Sequence, residues 1–358
     1  MKELVSTTPQ MTDSSRIQMP QLVVNDPGLS ADPGPLQEQP DSAVRQYLKK
    51  RSPGKFADGA FGVTMLLSAC SIFLIVALIV FTLAHGSKLS IHAFGWKFFV
   101  TSAWDPVNGD FGALTFIFGT LATSLLALCI SVPLAIGVAV FITEMCPARL
   151  RTPISFLTEL LAAIPSVVYG LWALFILVPV MRDQLGPALA KLFGWTGLFS
   201  GDNFGLGILT ASIILAIMIL PVISSITRDV MRAVPVNQRE GMLALGATRW
   251  EMIRTGVLRN ARIGIVGAVI LGLGRALGET MAVTMVIGNR PDIAKSLFAP
   301  GYTLASVVAN EFTEATDDLY VSALIEIGLA LFLVTIVVNA IARLLVWAVT
   351  RGTPSRVA

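Results

Sequence analysis

Charge is scarce in this sequence. Asp, Glu, Lys and Arg make up 14% of its 358 residues, whereas soluble domains carry about 25%. A chain wetted on all sides cannot be built from so few charges. With 54% apolar residues and a mean hydropathy of +0.74, the composition is that of an integral membrane protein. Histidine and cysteine are also sparse, at two and three residues. Cys70 and Cys129 lie in apolar runs and Cys146 ends one, with no pairing or metal spacing, so all three read as small apolar fillers. His85 and His92 flank an apolar run with no second cluster of ligands, which leaves no metal site to expect. There is no G-x-x-x-x-G-K-[ST] loop to hold ATP. No Ser–His–Asp or Cys–His arrangement offers a catalytic centre, so no catalytic residue, enzyme activity, cofactor or nucleic-acid partner is expected. No apolar core follows Met1, which excludes a signal peptide there.

Long apolar runs are what the chain has instead. About 20 such residues cross some 30 Å of hydrocarbon, and six runs qualify: residues 61–84, 111–142, 154–181, 203–227, 263–288 and 319–349. The second exceeds one crossing and could begin with a short flat helix. The expected fold is an all-α membrane domain over 59–352, after a polar, proline-punctuated and disordered tail at 1–58 and before a short tail at 353–358. Arg45, Lys49, Lys50, Arg51 and Lys55 precede the first run. Seven arginines occupy 228–262, and Arg149 and Arg151 sit in the turn after the second run. The alternate loops hold two basic residues each, so the positive-inside rule places both termini and segment 228–262 in the cytoplasm. Pro133, Pro165, Pro179 and Pro221 interrupt the runs, as they do in helices that line a cavity, and several in one small bundle favour a transporter.

Residues 261–289, ARIGIVGAVILGLGRALGETMAVTMVIGN, organise the rest. Arg275 and Glu279 interrupt an otherwise apolar helix near its middle, where a charge costs roughly 2.5–3.5 kcal/mol on insertion scales. Their i,i+4 spacing puts both on one helix face. Gly264, Gly267, Gly272, Gly274 and Gly278 would let other helices approach closely. The run from Gly272 to Gly278 has the wrong spacing for a nucleotide fingerprint and no strand before it, so it reads as helix packing. Counting from the cytoplasmic side, Arg275 lies about twelve residues, or about 18 Å, deep, near the midplane where transporter sites lie. Two readings stay open. Arg275 meets an anion in transit while Glu279 shares its charge when the path is empty, or the two form an ion pair that only fixes packing. Glu326 is a third deep charge, expected to face the bundle interior near the level of Arg275 and to compete with Glu279 for it. Glu159 is expected to be a helix-end residue reaching water.

The cytoplasmic stretch 235–260 predicts two short helices. Pro235 can open the first, Gly246 ends it, and Thr248 with Glu251 makes a capping box for the second. Met242, Leu245, Trp250, Ile253 and Val257 supply an apolar face. Either the pair lies on the membrane or it is a knob that fits a groove on a cytoplasmic partner. The outer segment 290–318 carries a helical stretch near 303–312, fit for an outer gate, for contact with a periplasmic protein, or for a plain surface loop.

Glu240, Gly246 and Ala247 match the E-A-A-x-x-x-G loop of ABC-importer permeases, with Gly241-Met242 in place of the two alanines and Leu258-Arg259 in place of the closing Leu-Pro. The segments Ala163-Ile164-Pro165-Ser166-Val167-Val168-Tyr169-Gly170, Gly274 to Val283 and Asn310-Glu311-Phe312 narrow the likeness. Over roughly 60–350 the chain resembles the permeases of Pst-type phosphate importers, and Glu-Thr-Met-Ala-Val is closer to the PstC-like subunit than to the PstA-like one. The resemblance implies a six-helix type I (MetI-like) bundle in the bacterial inner membrane. It implies a coupling helix carrying Glu240, Gly246 and Ala247, and a substrate pathway that includes Arg275, Glu279, Glu326, Pro165 and Ser166. It implies as partners a PstA-like permease, a dimer of PstB-like ATP-binding subunits, a PstS-like periplasmic binding protein and membrane lipid. Molybdate or sulfate would suit the same arginine. An autonomous channel or ion-coupled carrier is the rival class, and it would leave the cytoplasmic motif without a task.

Overall fold

The structure is a computed structural model, described here for residues 55–293 and 295–350. The expected terminal tails, apart from the first few residues of the helical region, lie outside those residues. Contacts divide the chain into two compact units, 1–71 and 72–358. Fourteen α-helices run through the described residues. They are α1 (Lys55–Gly86), α2 (Lys88–Phe94), α3 (Leu114–Val140), α4 (Ala148–Ala163), α5 (Ser166–Trp172), α6 (Val178–Val180), α7 (Gly186–Phe193), α8 (Ile208–Arg232), α9 (Val236–Ala244), α10 (Arg249–Glu251), α11 (Arg259–Leu277), α12 (Met281–Thr284), α13 (Leu304–Glu311) and α14 (Asp318–Thr350). A two-residue hairpin, β1 (Trp104–Asp105) against β2 (Asp110–Phe111), is antiparallel with Trp104 opposite Phe111.

Six stretches are long and apolar enough to cross a membrane: Asp58–Gly86, Leu114–Met145, Ser166–Thr196, Ile208–Arg232, Arg249–Leu277 and Asp318–Ala348. The number agrees with the sequence reading, but two boundaries do not. The third stretch starts at Ser166 rather than near 154, because the backbone leaves the helix at Ile164 and Pro165. The fifth ends at Leu277 rather than near 288 and reaches back to Arg249. The long second run does not open with a flat helix. The short helix precedes it as α2, followed by a 3-10 turn at Gly95–Phe99 and the hairpin.

The centre of the larger unit is α8, most of whose residues are buried. Its closest neighbour, α3, shows why. Gly119, Thr123, Ala127, Ser131, Ala135 and Ala139 recur every four residues, so they form one stripe, and all are buried. Small side chains let the two backbones approach, which is how helices associate where lipid removes the usual hydrophobic drive. The core changes character along the bundle. Aromatic residues dominate near the hairpin, where Phe98, Phe111, Phe116 and Tyr302 cluster. Alanine and aliphatic residues of α3, α8 and α11 fill the middle. Met231, Met252, Ile253 and Val257 close the end that carries α9 and α10.

Several helices carry wide turns with i→i+5 bonding, at Phe141–Met145, Ala173–Leu177, Met181–Leu185 and Met252–Leu258. Such insertions are frequent at functional sites. Two of them touch the regions described next.

Candidate functional site

Two helices break side by side. The first break separates α4 from α5. Pro165 clashes with a helical conformation of the residue before it, and Ile164 is extended at φ −65°, ψ 131°. Pro165 itself sits at ψ 142° and precedes the first turn of α5. The Tyr169 hydroxyl reaches back across the break and donates to the carbonyl of Leu161 at 2.8 Å, satisfying one of the acceptors that a helix end leaves open. The second break separates α11 from α12. Helix α11 ends at Leu277, Gly278 follows at φ −99°, ψ 3°, and the helix resumes only at Met281. Gly170 brings the two breaks together: a β-carbon there would lie 2.6 Å from the Met285 sulfur and 3.1 Å from the Ala282 α-carbon.

This corrects the expected Arg275–Glu279 geometry. The helix that would have aligned them stops between them. Arg275 lies in the last turn of α11 and is exposed. The Glu279 carboxylate turns toward the start of α12 and accepts the Ala282 amide at 3.4 Å. Among the described residues no ion pair reaches Arg275. Pro165, Ser166, Arg275 and Glu279 are thus all drawn to one pair of adjoining breaks.

Glu326 does not join them. It is buried at 1% exposure, inward as expected, and no ion pair among the described residues joins it to Arg275. Ser322, one turn away, donates to the Gly86 carbonyl at 2.9 Å and accepts the Ser90 amide at 3.1 Å. The groove beside Gly274 is lined by Thr335 and Asn339, nine and thirteen residues, or about 13 and 20 Å, along α14 from Glu326. The two charges therefore lie at different levels. Of the five glycines in the run, Gly264 and Gly272 press on Val230 and Ile223 of α8, while Gly267 and Gly274 meet nothing within 4 Å. With Leu271 and Arg275 they leave one face of α11 uncovered.

At the other end, the loop has the expected turns. Pro235 precedes α9, Gly246 takes φ +86°, and the Thr248–Glu251 capping box is formed. The apolar face divides in two. Met242 packs where Gly256 leaves room, and Ile253 and Val257 are buried. Leu245 is 90% exposed and Trp250 62%, so they project away from the bundle, and Glu240 is exposed as well.

Above this loop, arginines tie the helix ends. Arg228 of α8, its side chain 6% exposed, donates to Glu159 of α4 at 2.8 Å and also pairs with Asp229. Glu159 is therefore an ion-pair partner, not simply a helix-end residue reaching water. Arg239 of α9 donates to the Val234 and Met231 carbonyls at 2.7 and 2.8 Å and lies 3.2 Å from Glu144. Sequence reasoning missed Tyr169 and the Arg239–Glu144 pair. The tyrosine follows Pro165 by four residues, a usable signal, but Glu144 and Arg239 are far apart in sequence and nothing local joins them.

Residues 131–351 match the family of binding-protein-dependent transport system inner membrane components. The chain belongs to that family. It is 46% identical over 307 residues to the phosphate transport system permease protein PstC of Mesorhizobium japonicum, covering 85% of this chain and 92% of that one. It is also 46% identical to PstC of Haemophilus influenzae, over 81% and 93% of the two chains. A bacterial ABC transporter involved in import of the polysaccharide alginate shares the fold at 17% identity and a TM-score of 0.51, over 81% of this chain and 99% of that one. The family member described here is thus a multi-pass membrane permease of the ABC-importer type and not an enzyme.

Proposed function

We propose that this chain is a transmembrane subunit of an ATP-driven importer of inorganic phosphate, and that Arg275 meets the anion on its way through. The observation that carries this is the state of Arg275: permanently charged, in an apolar stretch, and without an ion pair among the described residues. A charge held in a membrane without a partner marks a pathway by default, and a guanidinium fits phosphate oxygens with two parallel hydrogen bonds. The break at Pro165 adds the amide-bearing start of α5, whose dipole also favours an anion. Half-helices that point their ends at a site recur in transporters. Ser166 and Glu279 stand at the two breaks and would shape entry and release, since a transient site must also let go.

The uncovered face of α11, with Gly267 and Gly274, suits close packing by a second permease subunit. Glu240, Gly246, Ala247 and the projecting Leu245 and Trp250 suit a groove on an ATP-binding subunit. A periplasmic binding protein would deliver the anion at the hairpin end. In this arrangement both termini are cytoplasmic in a bacterial inner membrane, residues 235–260 form the coupling loop, and 59–352 form the permease domain. Sulfate or molybdate would satisfy the same arginine, and the choice of phosphate rests on the PstC relatives. The test is uptake of labelled phosphate by the reconstituted complex, with and without ATP, and with sulfate and molybdate as competitors. ATP-dependent uptake that only excess phosphate suppresses supports the reading. Uptake without the ATP-binding subunit would replace it with a channel or carrier.

A further inference from the structure

The geometry points to Arg239 and Glu144 as the joint through which movement of α9 reaches the membrane helices. The inference rests on the proposed role of residues 235–260 in coupling. Three elements meet at one guanidinium. Arg239 belongs to α9, and it donates to the carbonyls of Met231, in the last turn of α8, and Val234, in the turn that follows it. Its third contact, Glu144, lies in the wide turn Phe141–Met145 that finishes α3. That turn is held from a third side, where Arg151 at the start of α4 donates to the Thr143 carbonyl at 3.0 Å. The joint is enclosed: the side chains of Arg239 and Glu144 are 16% and 8% exposed. A planar guanidinium can reach three acceptors from one position; a lysine ammonium is a point charge on a flexible stem.

The contacts differ in quality, and the difference suggests motion. The two carbonyl bonds are short and aligned. The Glu144 contact, at 3.2 Å, is close enough for an ion pair but is not aligned as a hydrogen bond. The near carboxylate oxygen and the Arg239 Nε are both buried without a hydrogen-bond partner. Unsatisfied charged groups in an enclosed site favour any small shift that pairs them. So α9 is hydrogen-bonded to the end of α8 and the turn after it, while its charged contact with the end of α3 is not aligned as a hydrogen bond. A tilt of α9 would tighten the Arg239–Glu144 contact and pull on the wide turn. From there α3 carries the shift along its small-residue stripe against α8. Arg239 and Glu144 are therefore positioning residues and touch no substrate.

The test uses the full complex in proteoliposomes and reads the phosphate moved per ATP hydrolysed. Two variants are compared with the unaltered complex, Glu144→Gln and Arg239→Lys, with assembly checked by size-exclusion chromatography. Glu144→Gln is expected to assemble and to hydrolyse ATP while moving about ten-fold less phosphate per ATP. Arg239→Lys keeps the charge but cannot hold three acceptors, so a loss of about three-fold is expected. An unchanged ratio in both variants would overturn the proposal. So would loss of assembly in both, which would make the pair a weld. Absence of ATP-driven phosphate uptake in the unaltered complex would sink the functional reading. Normal uptake there with unchanged ratios in the variants would sink only the coupling joint.

Discussion

Arg228 and Arg275 carry the same group and stand in opposite circumstances. Arg228, where α8 meets α4, is buried and paired with Glu159 and Asp229. Arg275, where α11 breaks, is exposed, without an ion pair among the described residues, and separated from its nearest acidic neighbour in sequence by the end of its own helix. A paired, buried arginine is explained by the fold that encloses it. An arginine left open in an apolar stretch is not, and the proposed reading gives it a partner from outside the chain, the anion in transit. Partner and burial together sort structural charge from functional charge; the type of residue does not.

The largest expected effect falls on the open arginine. Arg275→Gln leaves one neutral hydrogen bond to the anion in place of two charge-assisted ones, a net loss of about one charged bond, about 1.5–3 kcal/mol. At 1.4 kcal/mol per factor of ten, phosphate uptake should fall by about 10–100-fold with assembly and thermal stability unchanged. Loss of assembly would place Arg275 beside Arg228 and erase the contrast. The paired arginine should respond in the reverse way. Glu159→Gln weakens the hydrogen bond to a buried guanidinium that Asp229 still contacts. Glu159 is 56% exposed, so solvent screening should bring the cost below the charged-bond range, to about 1 kcal/mol. A lower melting temperature of the complex in lipid, with phosphate moved per ATP intact, is the outcome that sharpens the comparison.

Much of this was legible beforehand, and the misreadings have a common cause. Composition and run length gave six spans, because a 20-residue apolar run can do little else. The turn at Gly246 and the capping box at Thr248 were legible because their chemistry is local. The register of Arg275 and Glu279 was not. An i,i+4 argument assumes a continuous helix, and this one stops at Leu277, with Gly278 at φ −99°, ψ 3° as its cap. Pro165 was seen as an interruption, yet the length of the apolar run hid that α4 and α5 are separate helices. Glu326 was placed inside correctly, but counting residues along two separate spans did not fix its level against Arg275, and no ion pair among the described residues joins the two. The four-residue stripe of α3 was present in the sequence throughout. Its polar members, Thr123 and Ser131, look like weak points in an apolar run until α8 is seen against them.

Smaller effects belong to the turns that hold the two ends of the molecule. Gly246 sits at φ +86° with open space around it, so Gly246→Ala should meet backbone strain of about 1–2 kcal/mol and no clash. Because the strain falls on the loop alone, ATP-binding-subunit affinity in a pull-down should weaken by about ten-fold, while the breaks around Arg275 keep their place and any residual uptake keeps its preference for phosphate. A change in that preference would mean that the loop and the arginine are not separable.

The smallest effect is expected at the opposite end, where a charge is satisfied without any other element. The Asp105 carboxylate accepts the Asn108 side chain at 2.7 Å and the Val107 and Asn108 amides at 3.0 and 3.2 Å. The Asn108 side chain, followed by the two amides, holds its pKa below the ordinary carboxylate value. The sign follows from linkage: a pKa lower in the folded turn than in the open one makes the ionised carboxylate a support for the turn. That support is present above the ordinary aspartate pKa of about 3.9 and is lost as pH falls through the depressed value. Amide exchange at Val107 and Asn108 should therefore stay slow at neutral pH and speed up, relative to the intrinsic rate, only in acid. Asn108→Ala should move that onset to higher pH. A pH-independent profile would show that the hairpin keeps its shape through Trp104 and Phe111 alone. The outer turn would then owe nothing to charge, and the contrast between paired and open charges would rest on the arginines.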